Sequence, residues 1–306
     1  MSRRFASRAA ALAPALACAL FAACSSEPEA PPPLTASEAE EKAQVERLVA
    51  LYQTGDPTWP AARDEALEDP RIAELLVQNF IRAMLRAHER ERAGAAMVGS
   101  WTDFREHQAQ LAAMGDASAP LLIVGLRADD KVVVALVKDT LVLIGARAVQ
   151  PLQSRFEASD SPAERREILS VLASIGGVPM IEVFARYLGD PEWQVRGEAY
   201  LSLGRIAASF RSDAAARARV RELLARGFAD GDAFVRRQAV KGLAEMADAE
   251  ALALLISRYA RAQELRLSPE ERQDLLQVLR RTTRMPAAVR VDEFEAWLAR
   301  RRGAGS

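Results

Sequence analysis

Apolar and small residues recur four apart and then three apart through Val195-Arg196-Gly197-Glu198-Ala199-Tyr200-Leu201-Ser202-Leu203-Gly204-Arg205-Ile206. That spacing puts them on one face of a helix. The pattern returns, blurred, in Val235-Arg236-Arg237-Gln238-Ala239-Val240-Lys241-Gly242-Leu243-Ala244-Glu245-Met246. Both copies follow Asp-rich turns, Gly189-Asp190-Pro191 and Asp230-Gly231-Asp232. A wider scan finds five helix ends of one type: Leu, two variable residues, Ile or Met, then Gly or Ala. Their Ile or Met positions are 114, 144, 175, 206 and 246, in steps of 30, 31, 31 and 40. Self-similarity at such a period predicts stacked helix pairs, none of which can bury its apolar side alone.

The partner helices are expected at 121–126, 152–156, 181–188 and 220–228. Pro120, Pro151 and Pro179 are each expected in the first turn of a partner helix. Turns at 128–130, 159–162 and 189–191 lead into the next unit. The long step is traced to an inserted connection at 208–214, either a neutral extension or a contact loop. Before residue 100 the repeat signature is missing. Ser37 is the expected N-cap of a first helix with Val45, Leu48, Val49 and Tyr52 as its stripe, stopped by Gly55-Asp56-Pro57. A short helix over 60–67 and a strongly apolar one from Pro70 follow, with Gly94 closing the latter. At the other end Ser268-Pro269-Glu270-Glu271 starts a capped helix. A last short helix is expected to close the open groove with Phe294, Trp297 and Leu298. Arg300, Arg301 and Arg302 at its end offer membrane-surface contact as the competing use. The composition agrees: half hydrophobic, 6% aromatic, with few β-branched runs.

These residues resemble the HEAT-repeat family in its short bacterial form. The resemblance covers about residues 101–283. It is carried by the Asp-rich turns, Val195-Arg196, Val235-Arg236, Ala199, Ala239 and the five helix ends. It implies an all-α fold: an α-solenoid of stacked antiparallel helix pairs with helical caps at both ends. The expected divisions are a signal at 1–23, a tether at 24–36, an N-terminal cap at 37–100, repeats at 101–286 and a capping helix at 287–302.

The first 23 residues change the picture of where such a fold works. Arg3, Arg4 and Arg8 precede an apolar run from Ala9 to Ala23, too short to span a membrane comfortably. Leu20-Phe21-Ala22-Ala23-Cys24 resembles a bacterial lipobox, with Phe21 where an aliphatic residue is usual. The resemblance implies that Cys24 becomes a lipid-bearing N-terminus. Ser25 after it implies an outer-membrane destination in the bacterial envelope, facing the periplasm. Pro28, Pro31, Pro32 and Pro33 then make an extended tether. Cys18 and Cys24 are the only cysteines, so the folded part has neither a disulfide nor a Cys-based metal site.

Without residues 1–23 the chain holds 38 basic and 42 acidic side chains. That balance argues against nucleic acid as a partner. His88 and His107 are the only histidines and form no metal-ligand pair. Gly-rich phosphate loops, nucleophile elbows and catalytic Cys motifs are missing. No cofactor and no enzymatic activity are expected.

Arg165, Arg196, Arg236 and Arg272 recur once per unit, and Val134 takes that place in the first full unit. Either they make a basic stripe for an acidic or phosphorylated partner, or each pairs with a turn aspartate such as Asp190 or Asp230. Trp193, in the turn before the best repeat, either contacts a partner or covers the neighbouring unit. Trp193, Arg196 and Arg236 are therefore the binding candidates. The function expected is a membrane-tethered scaffold or adaptor that holds another protein on a concave face lined by the second helices. The rivals are an assembly factor for envelope polymers or lipids, and a lyase. The second rests on a likeness between some bacterial HEAT-like proteins and bilin lyases, and no pigment site is found.

Overall fold

A computed structural model describes residues 35–92, 100–288 and 290–303. The signal segment, Cys24, the Pro-rich stretch and Gly94 lie outside them. Helix is the one regular secondary structure of the described residues, with no strand among them. Residues divide after Ala158 into two compact units.

In unit 1 the helices are α1 (Ala36–Gln53), α2 (Trp59–Ala66), α3 (Pro70–Arg92), α4 (Ser100–Ala113), α5 (Gly115–Val124), α6 (Lys131–Ile144) and α7 (Ala146–Ala158). Thr35, not Ser37, caps α1. Its hydroxyl accepts from the Glu38 N–H, while the Glu38 carboxylate accepts from the Thr35 N–H, a reciprocal box that starts the helix at Ala36 and leaves Ser37 in its first turn. Gly55 turns the chain at φ +67°, and α2 runs back to Asp69. The Asp69 carboxylate accepts from the Arg71 and Ile72 N–H groups at the start of α3. α1 and α3 then run side by side in the same direction. Arg71 pairs with Glu41 near their starts at 3.2 Å, and Tyr52 meets the edge of Phe80 farther on at 5.0 Å. α4 packs between α3 and α6, and α5 between α3 and α7.

Unit 2 holds α8 (Pro162–Ile175), α9 (Met180–Tyr187), α10 (Trp193–Ile206), α11 (Ala214–Arg226), α12 (Ala233–Met246), α13 (Ala249–Ala260), α14 (Pro269–Thr283) and α15 (Val291–Gly303). The even-numbered helices α8, α10, α12 and α14 form one row and the partner helices α9, α11 and α13 the other. Within the first row, α10 and α12 touch backbone to backbone. A Cβ on Gly204 would lie 2.2 Å from the Gly242 carbonyl oxygen. The partner row is looser.

The repeated helix ends are buried as the pattern requires. Leu111, Met114, Leu141, Ile144, Leu172, Leu203, Ile206, Leu243 and Met246 are all in the core, and Ile175 is half-buried. The prolines depart from expectation. Pro120 and Pro151 lie inside α5 and α7, because each helix starts directly after the preceding helix end rather than after a loop. Pro179 does sit at the N-cap of α9. The inserted connection at 208–214 is compact: Ala207–Phe210 form a 3-10 turn, and Asp213 caps α11. The Ser209 hydroxyl accepts from the Gly177 N–H of the preceding turn. The long step also reflects helix length, since α11 has 13 residues and α9 has 8.

Phe294 and Leu298 of α15 are buried, Phe294 against Tyr259 of α13, and Trp297 is half-buried under Arg301. The closing role falls to the first two. Arg302 forms an ion pair with Glu250 at the head of α13.

Candidate interaction surfaces

The repeated arginines build a ladder along the starts of the first-row helices in unit 2. Arg165 pairs with Asp190. Arg196 grips Asp230 through Nε and Nη2 at 2.9 and 3.0 Å, while its Nη1 donates to the Asp190 and Pro191 carbonyls. Arg236 repeats the motif one step on. It bonds Glu271 at 2.6 Å and the Asp230 and Gly231 carbonyls. Each acid also holds its own turn: Asp190 accepts from the Glu192 N–H, Asp230 from the Asp232 N–H and Glu271 from the Ser268 N–H. A planar five-donor guanidinium suits this double duty. Burial raises the Asp230 and Glu271 pKa values, but the arginine and backbone donors win, and both end below the ordinary carboxylate range. Arg272 leaves the pattern. Its guanidinium lies over the Tyr259 ring, 5.9 Å from the centroid.

Of the three binding candidates, Arg196 and Arg236 are thus engaged in joining neighbouring repeats within unit 2. Trp193 is 40% exposed and meets Phe234 of the next first-row helix edge-on at 5.0 Å. The Phe234 ring in turn covers Gly197, where a Cβ would come within 2.5 Å of it. Trp193 therefore both covers its neighbour and leaves a face to solvent.

Sequence reasoning missed Arg217. It is buried in α11 and ties three helix ends together: it donates to the Ala207 and Met246 carbonyls at 2.8 Å and pairs with Asp248, the N-cap of α13. Carbonyls at helix C-termini have no partner within their helix, and Arg217 supplies one for two of them. No recurrence marks it, because it serves the insertion peculiar to this unit. In unit 1 Arg147 does similar work on the Ala112 and Ala113 carbonyls.

Sequence reasoning also missed a groove of about 1200 Å³ in unit 1. One wall is α1, with Val45, Val49 and Tyr52. The other is α3, with Leu75 and then Arg82, Arg86 and Arg90. His107 lies at the base, 5.8 Å from Phe80 between ring centroids. Tyr52, Trp59 and Phe80 form the aromatic cluster beneath, and the Trp59 indole N–H donates to Gln110 at 3.0 Å. Arg82 has a pKa lowered by burial and by the like charge of Arg86. His88 packs near Phe104 instead, and no group of metal-binding side chains occurs among the described residues. No single described helix is long and apolar enough to cross a membrane.

Residues 181–280 match the family model described as HEAT repeats. Solved structures are similar to it at low identity. A chain from the structure of Kap95p with RanGDP is 14% identical, with TM-score 0.42; the match covers 88% of this chain but 35% of that one. An engineered protein is 15% identical, with TM-score 0.35, over 89% of this chain and 78% of its own. A chain of the CpcE–CpcF phycocyanin lyase complex of Nostoc sp. PCC7120 is 16% identical, with TM-score 0.33, over 90% of this chain and 98% of its own. No curated protein matches the sequence. Residues 181–280 thus match HEAT repeats, within an all-α solenoid architecture.

Proposed function

We propose that this chain is a membrane-tethered, non-catalytic scaffold that holds another protein against its helical surfaces. The observation that carries the reading is how the polar groups are used. The recurrent arginines and turn acids bond one another and nearby carbonyls, while the groove of unit 1 and the Trp193 face stay open. Charged groups spent on joining helices make a stiff framework rather than a reaction centre, and stacked repeats offer extended surfaces to partners.

The tether is read from Arg3, Arg4, Arg8, the apolar run and Cys24. Acylation there would fix the scaffold to a bacterial envelope membrane, the outer one facing the periplasm. Two acyl chains suffice for stable anchoring at roughly 0.8 kcal/mol per buried methylene. Expression in a bacterial host with an alkyne-tagged fatty acid tests this. Label should enter the native chain and be lost in Cys24→Ser. Equal labelling of both would sink the tether. Photo-crosslinking from the two open surfaces, in the native envelope, tests the scaffold. Recovery of no protein from either would sink that half.

A further inference from the structure

We infer that the groove between α1 and α3 receives an amphipathic helix of a partner protein, with carboxylates one turn apart that meet Arg82, Arg86 and Arg90. This rests on the scaffold reading and adds the partner's chemistry.

The shape comes first. Two helices running side by side leave a trough, and 1200 Å³ is the space of roughly ten residues of a helix about 10 Å across. Val49, Tyr52 and Leu75 are only half-buried along it, an apolar strip on which a helix face can lie. The charges come next. Arg82, Arg86 and Arg90 stand four residues apart, so they form a column about 12 Å long on one side of α3. Among the described residues none of the three is ion-paired with a carboxylate. Arg82 and Arg90 reach only the Gln78 and Arg86 carbonyls of their own helix. Glu89 and Glu106 line the same end of the groove, and Glu38, Glu41 and Glu46 line it toward the start of α1, so the arginine column belongs to the far part of α3. Like charges one turn apart repel.

A row of carboxylates at one-turn spacing answers all three arginines at once. One lipid headgroup concentrates its charge at a point and would answer one or two. An acyl chain would want an enclosed slot, and this trough is open to solvent. The observations therefore favour the helix.

The test is a fluorescein-labelled peptide of about 18 residues, made of Leu, Ala and Glu with glutamates four apart on one side. It is titrated into the full chain in detergent and followed by anisotropy. Saturable binding is expected, weakened about tenfold or more by Arg86→Glu. A peptide with lysine for glutamate should prefer that variant. Arg86 is exposed, so folding should survive; circular dichroism checks it, and Arg90→Gln gives a milder second variant. Equal binding to both proteins would overturn the inference. So would binding of phosphatidylglycerol vesicles, but not of the peptide, that depends on Arg86, or a self-association that Arg86→Glu abolishes. Crosslinkers at Val49 and Trp193 separate the two claims. Protein captured from Trp193 but not from Val49 refutes the groove and leaves the scaffold standing.

Discussion

Unit 2 and unit 1 solve the same packing problem with different side chains. In unit 2, the turn acid of one repeat is held by the arginine of the repeat before it, and α10 lies on α12 through glycine. In unit 1, Val134 stands where the arginine would be. The α4–α6 contact carries a buried hydrogen bond from Gln108 to Thr140, and Thr140 bonds back to the Leu136 carbonyl. The regular unit holds its ladder arginines, Arg165, Arg196 and Arg236, on its own acids. In the irregular unit Arg82, Arg86 and Arg90 make no ion pair with a carboxylate among the described residues, and a trough lies beside them. Repetition buys rigidity, and departure from it leaves surface for a partner.

The sharpest way to break the comparison is at the glycine contact. Gly204→Ala drives a methyl group into the α12 backbone, which neither rotamer change nor side-chain motion can relieve. A loss of about 3 kcal/mol or more is expected in urea denaturation, with amide exchange speeding up in α10 and α12 and not in α3. Exchange spread equally over both units would mean that they unfold as one. Asp230→Asn is next. It leaves Arg196 without its bidentate partner in a mostly buried position and weakens the turn, for about 2 kcal/mol.

Acid sharpens the same contrast. The folded pKa values of Asp230, Asp248 and Glu271 lie below the ordinary 3.8, 3.8 and 4.5. Depressed carboxylates contribute stability above their unfolded pKa values and lose it as pH falls through the folded ones. Unit 2 should therefore loosen progressively below about pH 4.5, read by amide exchange in α10 to α14. Asp230→Asn should flatten that dependence. Smaller again is Thr35→Ala, which opens the capping box of α1 for about 1 kcal/mol and frays that helix alone. The smallest is Trp193→Ala, at about 1 kcal/mol or less, because only the edge contact with Phe234 and part of the ring's burial are lost. Its effect should be plainer on crosslinked partner than on thermal melting.

Periodicity determined a good deal by itself. Leu and Ile or Met at a fixed spacing oblige each helix to turn that edge inward, and water enforces it wherever a neighbour is available. That suffices for an all-α stack and for the helix ends, and it offered pairing with turn acids as one of two uses for the recurrent arginines. Leu203 and Leu243 fall where the pattern puts them. Tertiary structure alone decided which row is tight, because Gly204 and Gly242 sit two places apart in the repeat and meet only once the helices are stacked. It also decided the role of Arg217, whose acceptors Ala207 and Met246 are 10 and 29 residues away, and the trough beside Arg82. A groove is a property of the gap between helices, and no single helix's sequence encodes the distance to its neighbour.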